Sequence, residues 1–156
     1  MTYNHAPTEY VCPICLGVNG VDSDKTLLRL EDIVYIDEFV TAFINSFWIT
    51  GNEGHVIVVP NEHYENIYDL PENLGAHIFR VAKKISIAMK KAYNCDGITT
   101  LQNNEPAGNQ HAFHYHFHVF PRYEGDHLHT NMGDKQLADP AKRKEYAGKL
   151  LKELTL

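Results

Sequence analysis

Three histidines, His114, His116 and His118, alternate with Tyr115, Phe117 and Val119. In an extended segment that alternation puts the imidazoles on one face and their apolar partners on the other. Same-face neighbours lie about 7 Å apart, so two can serve one phosphate group while an end member reaches a separate ion. Imidazole suits each task, because it titrates near neutral pH and acts as nucleophile, acid, base or metal ligand. A single histidine in such a run is most simply a hydrogen-bonded core or surface residue; three in strict alternation point to chemistry. A tripodal metal site is one reading, although three-histidine sites usually draw on more than one element.

Two other groups could contribute. Cys12-Pro-Ile-Cys15 offers a thiol pair at the spacing of half a tetrahedral metal site. Buried free thiols and a redox pair are the other readings, and no thioredoxin-like strand-helix-strand pattern surrounds the motif. The run from Asn103 to Gln110, just before the triad, is rich in amides and carries Gly108. It could cradle phosphate oxygens or simply turn the chain.

The elements that must position these residues follow from periodicity. Ile33 to Ile36 and Phe39 to Ile44 read as a hairpin about Asp37-Glu38, and His55 to Pro60 as a short strand stopped by proline. A long helix is predicted after Asp69, with Asp69 and Glu72 as a reciprocal cap and Leu74, Ile78, Val81, Ile85, Met89 and Ala92 as its apolar stripe. Asn94 and Gly97 end it. Ile98 to Leu101 and Phe113 to Phe120 complete five strands, the last stopped by Pro121, and a final helix starts at Pro140 with Asp139 as its cap. Uneven mixing of strands and helices favours an α+β domain: a five-stranded antiparallel sheet, one long helix packed on it and a C-terminal helix over 138–154.

The 156 residues, 44% hydrophobic, suffice for one domain spanning 1–156, with residues 1–10 as a loose arm. A net charge of −6 argues against a nucleic-acid or anionic-membrane footprint, which needs clustered Lys and Arg. With no signal-peptide pattern at the start, no membrane-length apolar run and an odd count of three cysteines, a reducing, cytoplasmic setting is expected.

The segment His114-Tyr-His-Phe-His-Val-Phe120 resembles the histidine-triad family signature, and the similarity extends to Gly54 through Pro60, His63, the long helix, Asn103-Asn104 and Gln110. The resemblance implies a hydrolase or nucleotidyl transferase acting at the α-phosphate of nucleoside phosphoramidates or dinucleoside polyphosphates. His116 would be the nucleophile and His118 a phosphate contact, with Asn103 and Gln110 in the phosphate cradle. Asn45 would face the ribose, where relatives often carry an acidic residue, and His111 stands where they often carry a small hydroxyl. His55 would sit buried beside the nucleophile and orient it. In zinc-bearing branches the Cys12 and Cys15 pair is completed by His63 and His114, so a structural Zn2+ is implied. The same resemblance implies a homodimer and a small purine nucleotide substrate. The competing readings are a nucleotide-binding regulatory protein with little turnover and a metal-dependent hydrolase built on the three histidines.

Overall fold

A computed structural model describes residues 3–154. In chain order the elements are α1 (Pro13–Val18), β1 (Ile33–Ile36), β2 (Val40–Ile44), β3 (Phe47–Ile49), β4 (Val56–Pro60), α2 (Glu72–Tyr93), β5 (Gly97–Gln102), β6 (Phe117–Arg122), α3 (Leu128–Asn131), β7 (Lys135–Leu137) and α4 (Pro140–Leu154). Five strands form one antiparallel sheet in the order β1-β2-β4-β6-β5, and β3 pairs with β7 in a second, two-stranded sheet.

The main sheet is covered on both faces, which explains why β4 is apolar at every position. Val56 and Val58 enter a core with Ile78, Val81, Ile85 and Met89 of α2 and Leu150 of α4. Ile57 and Val59 face the other way, against Phe43, Cys12 and Ile14. Ile78, Val81, Ile85 and Met89 of the α2 stripe are buried as the helical spacing predicts, Leu74 and Ala92 at its ends are half-buried, and Asn94 ends the helix in the left-handed conformation. Its start differs from expectation. Pro71 occupies the cap position without a side-chain cap bond, because proline presets a helical φ and disfavours helix at Leu70, leaving Asp69 outside. Asp139 does cap α4, its Oδ1 accepting from Ala141 N at 2.8 Å.

The triad strand starts later than the alternation suggests, at Phe117, and runs on through Pro121 to Arg122. The β4–β6 register pairs Val58 with Phe117 and so brings Pro60 opposite Tyr115. Proline has no N–H to offer the opposite carbonyl, its own carbonyl is taken by His114 Nε2 at 3.0 Å, and Tyr115 N donates to Tyr64 O at 2.6 Å. Pro121 is tolerated because β4 ends before it, its last pair being Val56 with Val119, and the Pro121 carbonyl accepts from Asn52 Nδ2 at 2.8 Å.

Residues 3–10 have no regular structure but are tied down. Glu65, a buried carboxylate, accepts the backbone N–H groups of His5 and Ala6, and Asn66 Nδ2 donates to Tyr3 O and Asn4 Oδ1. The C-terminal segment is also built into the domain. Arg143, 2% exposed, pairs with Asp32 at 3.4 Å and donates to Leu27 O and Ser46 Oγ. A Cβ at Gly54, where φ is +76°, would lie 2.1 Å from the Tyr146 ring of α4. No described helix is long and apolar enough to cross a membrane.

Candidate active site and metal centre

Cys12 and Cys15 bracket the start of α1, and the Cys12 Sγ accepts from Cys15 N at 3.3 Å. Gly17 lets this short helix approach the loop that leads into β1, since a Cβ there would meet Leu28 Cβ at 2.7 Å. His114 Nδ1 lies 3.4 Å from both sulfurs, and His63 Nδ1 lies 3.4 Å from Cys15 Sγ. All four donor atoms fall within 4.8 Å of one another.

A tetrahedral ion with bonds of about 2.0–2.3 Å separates its ligands by roughly 3.3–3.8 Å, so these donors fit one. His114 Nε2–H donates to Pro60 O at 3.0 Å, which fixes the tautomer that presents the Nδ1 lone pair to the thiols. Burial and the adjacent Cys12 push the Cys15 thiol up to about 12. Among the described residues this is the group of histidines, cysteines and carboxylates that could hold an ion; the three triad imidazoles do not form one, nor do His127 and His129.

Next to this cluster lies a cavity of about 410 Å³. His116 and His118 line it on one side, Asn45, Phe43 and Ile57 on the sheet floor, Asn103, Asn109 and His111 on the loop, and Pro13 and Ile14 on α1. Its wall also includes Lys25, Leu28, Phe47 and Lys135. The alternation survives although His116 precedes the regular strand: Tyr115, Phe117 and Val119 pack toward α2, while His118 pairs with Ile57 on the cavity side.

His116 Nδ1–H donates to the His114 carbonyl at 2.7 Å. Its Nε2 has no hydrogen-bond partner among the described residues, so the lone pair is free. Burial pushes the His116 imidazole below its usual range, partly opposed by that carbonyl, which leaves it uncharged at neutral pH. His118 is lowered further by burial; its ring centroid lies 4.9 Å from that of His116, and it stacks on Phe120.

His55 is buried against Phe120 with centroids 4.2 Å apart and lies 5.6 Å from His118. It therefore supports the triad through His118 and Phe120. Asn45 donates from Nδ2 to His55 Nε2 at 2.7 Å, which leaves its Oδ1 for a ligand. Asn103 lines the cavity and donates to Asn109 O at 3.5 Å. Gln110 does not reach it. Its amide is buried within the loop, donating to Glu65 O and Ala112 O and accepting from Glu105 N, so it shapes the cradle from behind. Pro13, Ile14, Asn109 and Lys135 join the lining without having been singled out by sequence; the first two were legible in hindsight as the residues held between the cysteines.

The neutral state of His55 makes stability pH-dependent. Burial lowers its pKa to about 3, against about 6.5 in an unfolded chain. Between those values the unfolded chain binds the extra proton, so stability is full above about pH 6.5 and declines as pH falls. Moving from pH 7 to pH 5 is expected to remove about 2 kcal/mol through this residue. Urea unfolding at the two pH values checks this: His55→Gln should lose less between them than the parent, and an equal loss would refute the assignment.

The HIT domain family model matches residues 29–125. An uncharacterized HIT-like protein of Saccharolobus solfataricus is 43% identical over 116 residues, 74% of this chain and 77% of that protein. An adenylylsulfatase of Arabidopsis thaliana is 35% identical over 117 residues, 75% of this chain and 55% of that protein. Among solved structures, a Zn-bound histidine triad family protein from Mycobacterium smegmatis matches with a TM-score of 0.74 and 27% identity, over 92% of this chain and 93% of that one.

Proposed function

Because the chain belongs to the HIT domain family, we propose that it is a nucleotide hydrolase or nucleotidyl transferase that works through a covalent nucleotidyl-His116 intermediate. The observation that carries this reading is the neutral His116 imidazole, its Nδ1–H fixed on the His114 carbonyl and its Nε2 free beside a cavity of nucleotide size. An imidazole held this way needs no base to become a nucleophile. The apolar part of the cavity, with Ile14, Leu28, Phe43 and Ile57, takes the base, and the amides of Asn103 and Asn109 and the ring of His118 take the α-phosphate. Asn45 Oδ1 accepts from a ribose hydroxyl.

In the first step Nε2 attacks the α-phosphorus, a P–N bond forms and the bond to the leaving group breaks with its electron pair. Water then attacks the same phosphorus, the P–N electron pair returns to Nε2, and the nucleoside monophosphate departs. The adenylylsulfatase relative supports this class of reaction. The test is acid-quenched mass spectrometry with a nucleoside phosphoramidate and a dinucleoside triphosphate: a nucleotidyl adduct on the peptide carrying His116 is expected. Nucleotide binding with neither adduct nor turnover would favour a regulatory binding protein.

The four-donor cluster is read as a structural zinc site, supported by its S2N2 donor set, its geometry and the Zn-bound structural relative. A bound zinc would tie Cys12 and Cys15 to His63 and His114 and supply no reacting group. Three unpaired cysteines suit the reducing cytoplasm.

A homodimer is the assembly that fits the free edge of the sheet. β5 is an edge strand, and beside it Phe79 and Ile87 of α2 are 62% and 51% exposed. Light scattering is expected to give twice the 17.8 kDa chain mass, and Phe79→Glu to give the single-chain mass. A parent protein at the single-chain mass would remove this part of the proposal.

A further inference from the structure

The cavity wall is charged in a way the chain as a whole is not. The protein carries 20 acidic and 14 basic side chains, yet among the described residues lining the cavity there is no Asp or Glu, whereas Lys25 and Lys135 both stand there. Neither lysine forms an ion pair among the described residues. An acidic protein that keeps carboxylates away from one pocket and leaves two ammoniums unneutralised in it has a field suited to a multiply charged anion.

Lys135 is the better placed of the two. Its backbone is held in register opposite Ile49 in the β3–β7 pair, and Ile49 is buried against Phe120, the ring on which His55 and His118 stack. Lys135 lines the same cavity as His116 and His118, and the chain of contacts from Lys135 through Ile49 and Phe120 leads to the His118 ring, which puts it at the reacting end. It also lies outside residues 29–125, the part matched by the family model. The residue that fixes the charge at this end therefore comes from a segment separate from the triad.

We propose that Lys135, assisted by Lys25, is a specificity-determining residue that selects substrates whose leaving group is an anion, a phosphate, nucleotide or sulfate, over those with an amine leaving group. The inference rests on the nucleotidyl-transfer reading above. When Nε2 attacks the α-phosphorus and the P–O bond breaks, the departing oxygen takes the electron pair and gains negative charge. An ammonium at that end of the cavity attracts the extra charge already present in the ground state and the charge that develops. An amine leaves as a neutral or protonated group and gains nothing from the same cation.

The experiment compares kcat/KM for diadenosine triphosphate and for an adenosine phosphoramidate in the parent, Lys135→Met and Lys135→Arg. The ratio of the two is expected to fall about tenfold or more in Lys135→Met and to be largely restored in Lys135→Arg. Lys135→Glu should lower it further. Equal losses on both substrates would mark a role confined to holding β7 in place, and an unchanged ratio would mark an idle surface cation; either overturns the proposal. Calorimetry with ADP and AMP supplies a readout independent of turnover: the parent should bind ADP more tightly, and Lys135→Met should lose most of that preference. If the parent forms no nucleotidyl adduct from either substrate, the proposed function falls, while the calorimetric preference still decides what Lys135 attracts.

Discussion

A His116→Ala chain is expected to form no nucleotidyl adduct and to turn over substrate roughly 10⁴-fold or more slowly than the parent. The size of the effect follows from the role: without the imidazole no covalent step exists, and what remains is the help given by oriented phosphate contacts. His118→Ala, which removes one such contact, should cost less, about 10²–10³-fold in kcat, with the adduct still detectable. Both variants should still melt cooperatively, since the main sheet and α2 do not depend on either ring. Wild-type rates in His116→Ala would dismiss the covalent route outright.

Loss of the metal should be felt in the fold before it is felt in the chemistry. Structural zinc sites bind with apparent free energies of about 10–16 kcal/mol, much of it expressed as folding stability. Cys15→Ser, or prolonged chelation, is expected to lower the melting temperature by about 10 °C or more. It should also weaken nucleotide binding, because Pro13 and Ile14, the residues between the two cysteines, form part of the cavity wall. Elemental analysis should find one zinc per parent chain. A chain that loses turnover on chelation while melting unchanged would instead place the metal in the reaction.

Much of this arrangement was legible in the residues. The triad alternation put His116 and His118 on one face, and the structure keeps it even though the ladder opposite Tyr115 is broken by Pro60. Fold class, the five strands of the main sheet and the apolar stripe of α2 followed from periodicity. Resemblance, rather than spacing, joined Cys12 and Cys15 to His63 and His114, which are far apart in the chain and meet only because β4 and the triad segment are neighbours.

Other features could not be read because they depend on long-range pairing. The β3–β7 ladder joins Phe47–Ile49 to a polar stretch that carries no strand pattern of its own, and Lys135 is conspicuous only once that ladder is seen. The docking of residues 3–10 depends on buried Glu65 and Asn66, whose partners are mostly backbone groups and leave little trace in side-chain type. Gln110 was expected among the phosphate contacts on the strength of its position; two bonds within its own loop and one to the Glu65 carbonyl consume its amide. His77 pairs with Asp37 at 2.7 Å and ties the β1–β2 turn to α2, a contact that depends on the packing of the helix and not on local sequence.

The buried Arg143 joins the last helix to Leu27 and Ser46, two residues on the rim of the cavity. The imidazoles, in contrast, are seated by β4, β5 and the loop before β6, and the partners of Arg143 among the described residues, Leu27, Ser46 and Asp32, lie on none of these. The rim at Leu27 and Ser46 thus hangs on the last helix, whereas Lys135 shares its support, Ile49 and Phe120, with the imidazoles. Loss of the Arg143 guanidinium would therefore be felt first at that rim, as a looser mouth to the cavity.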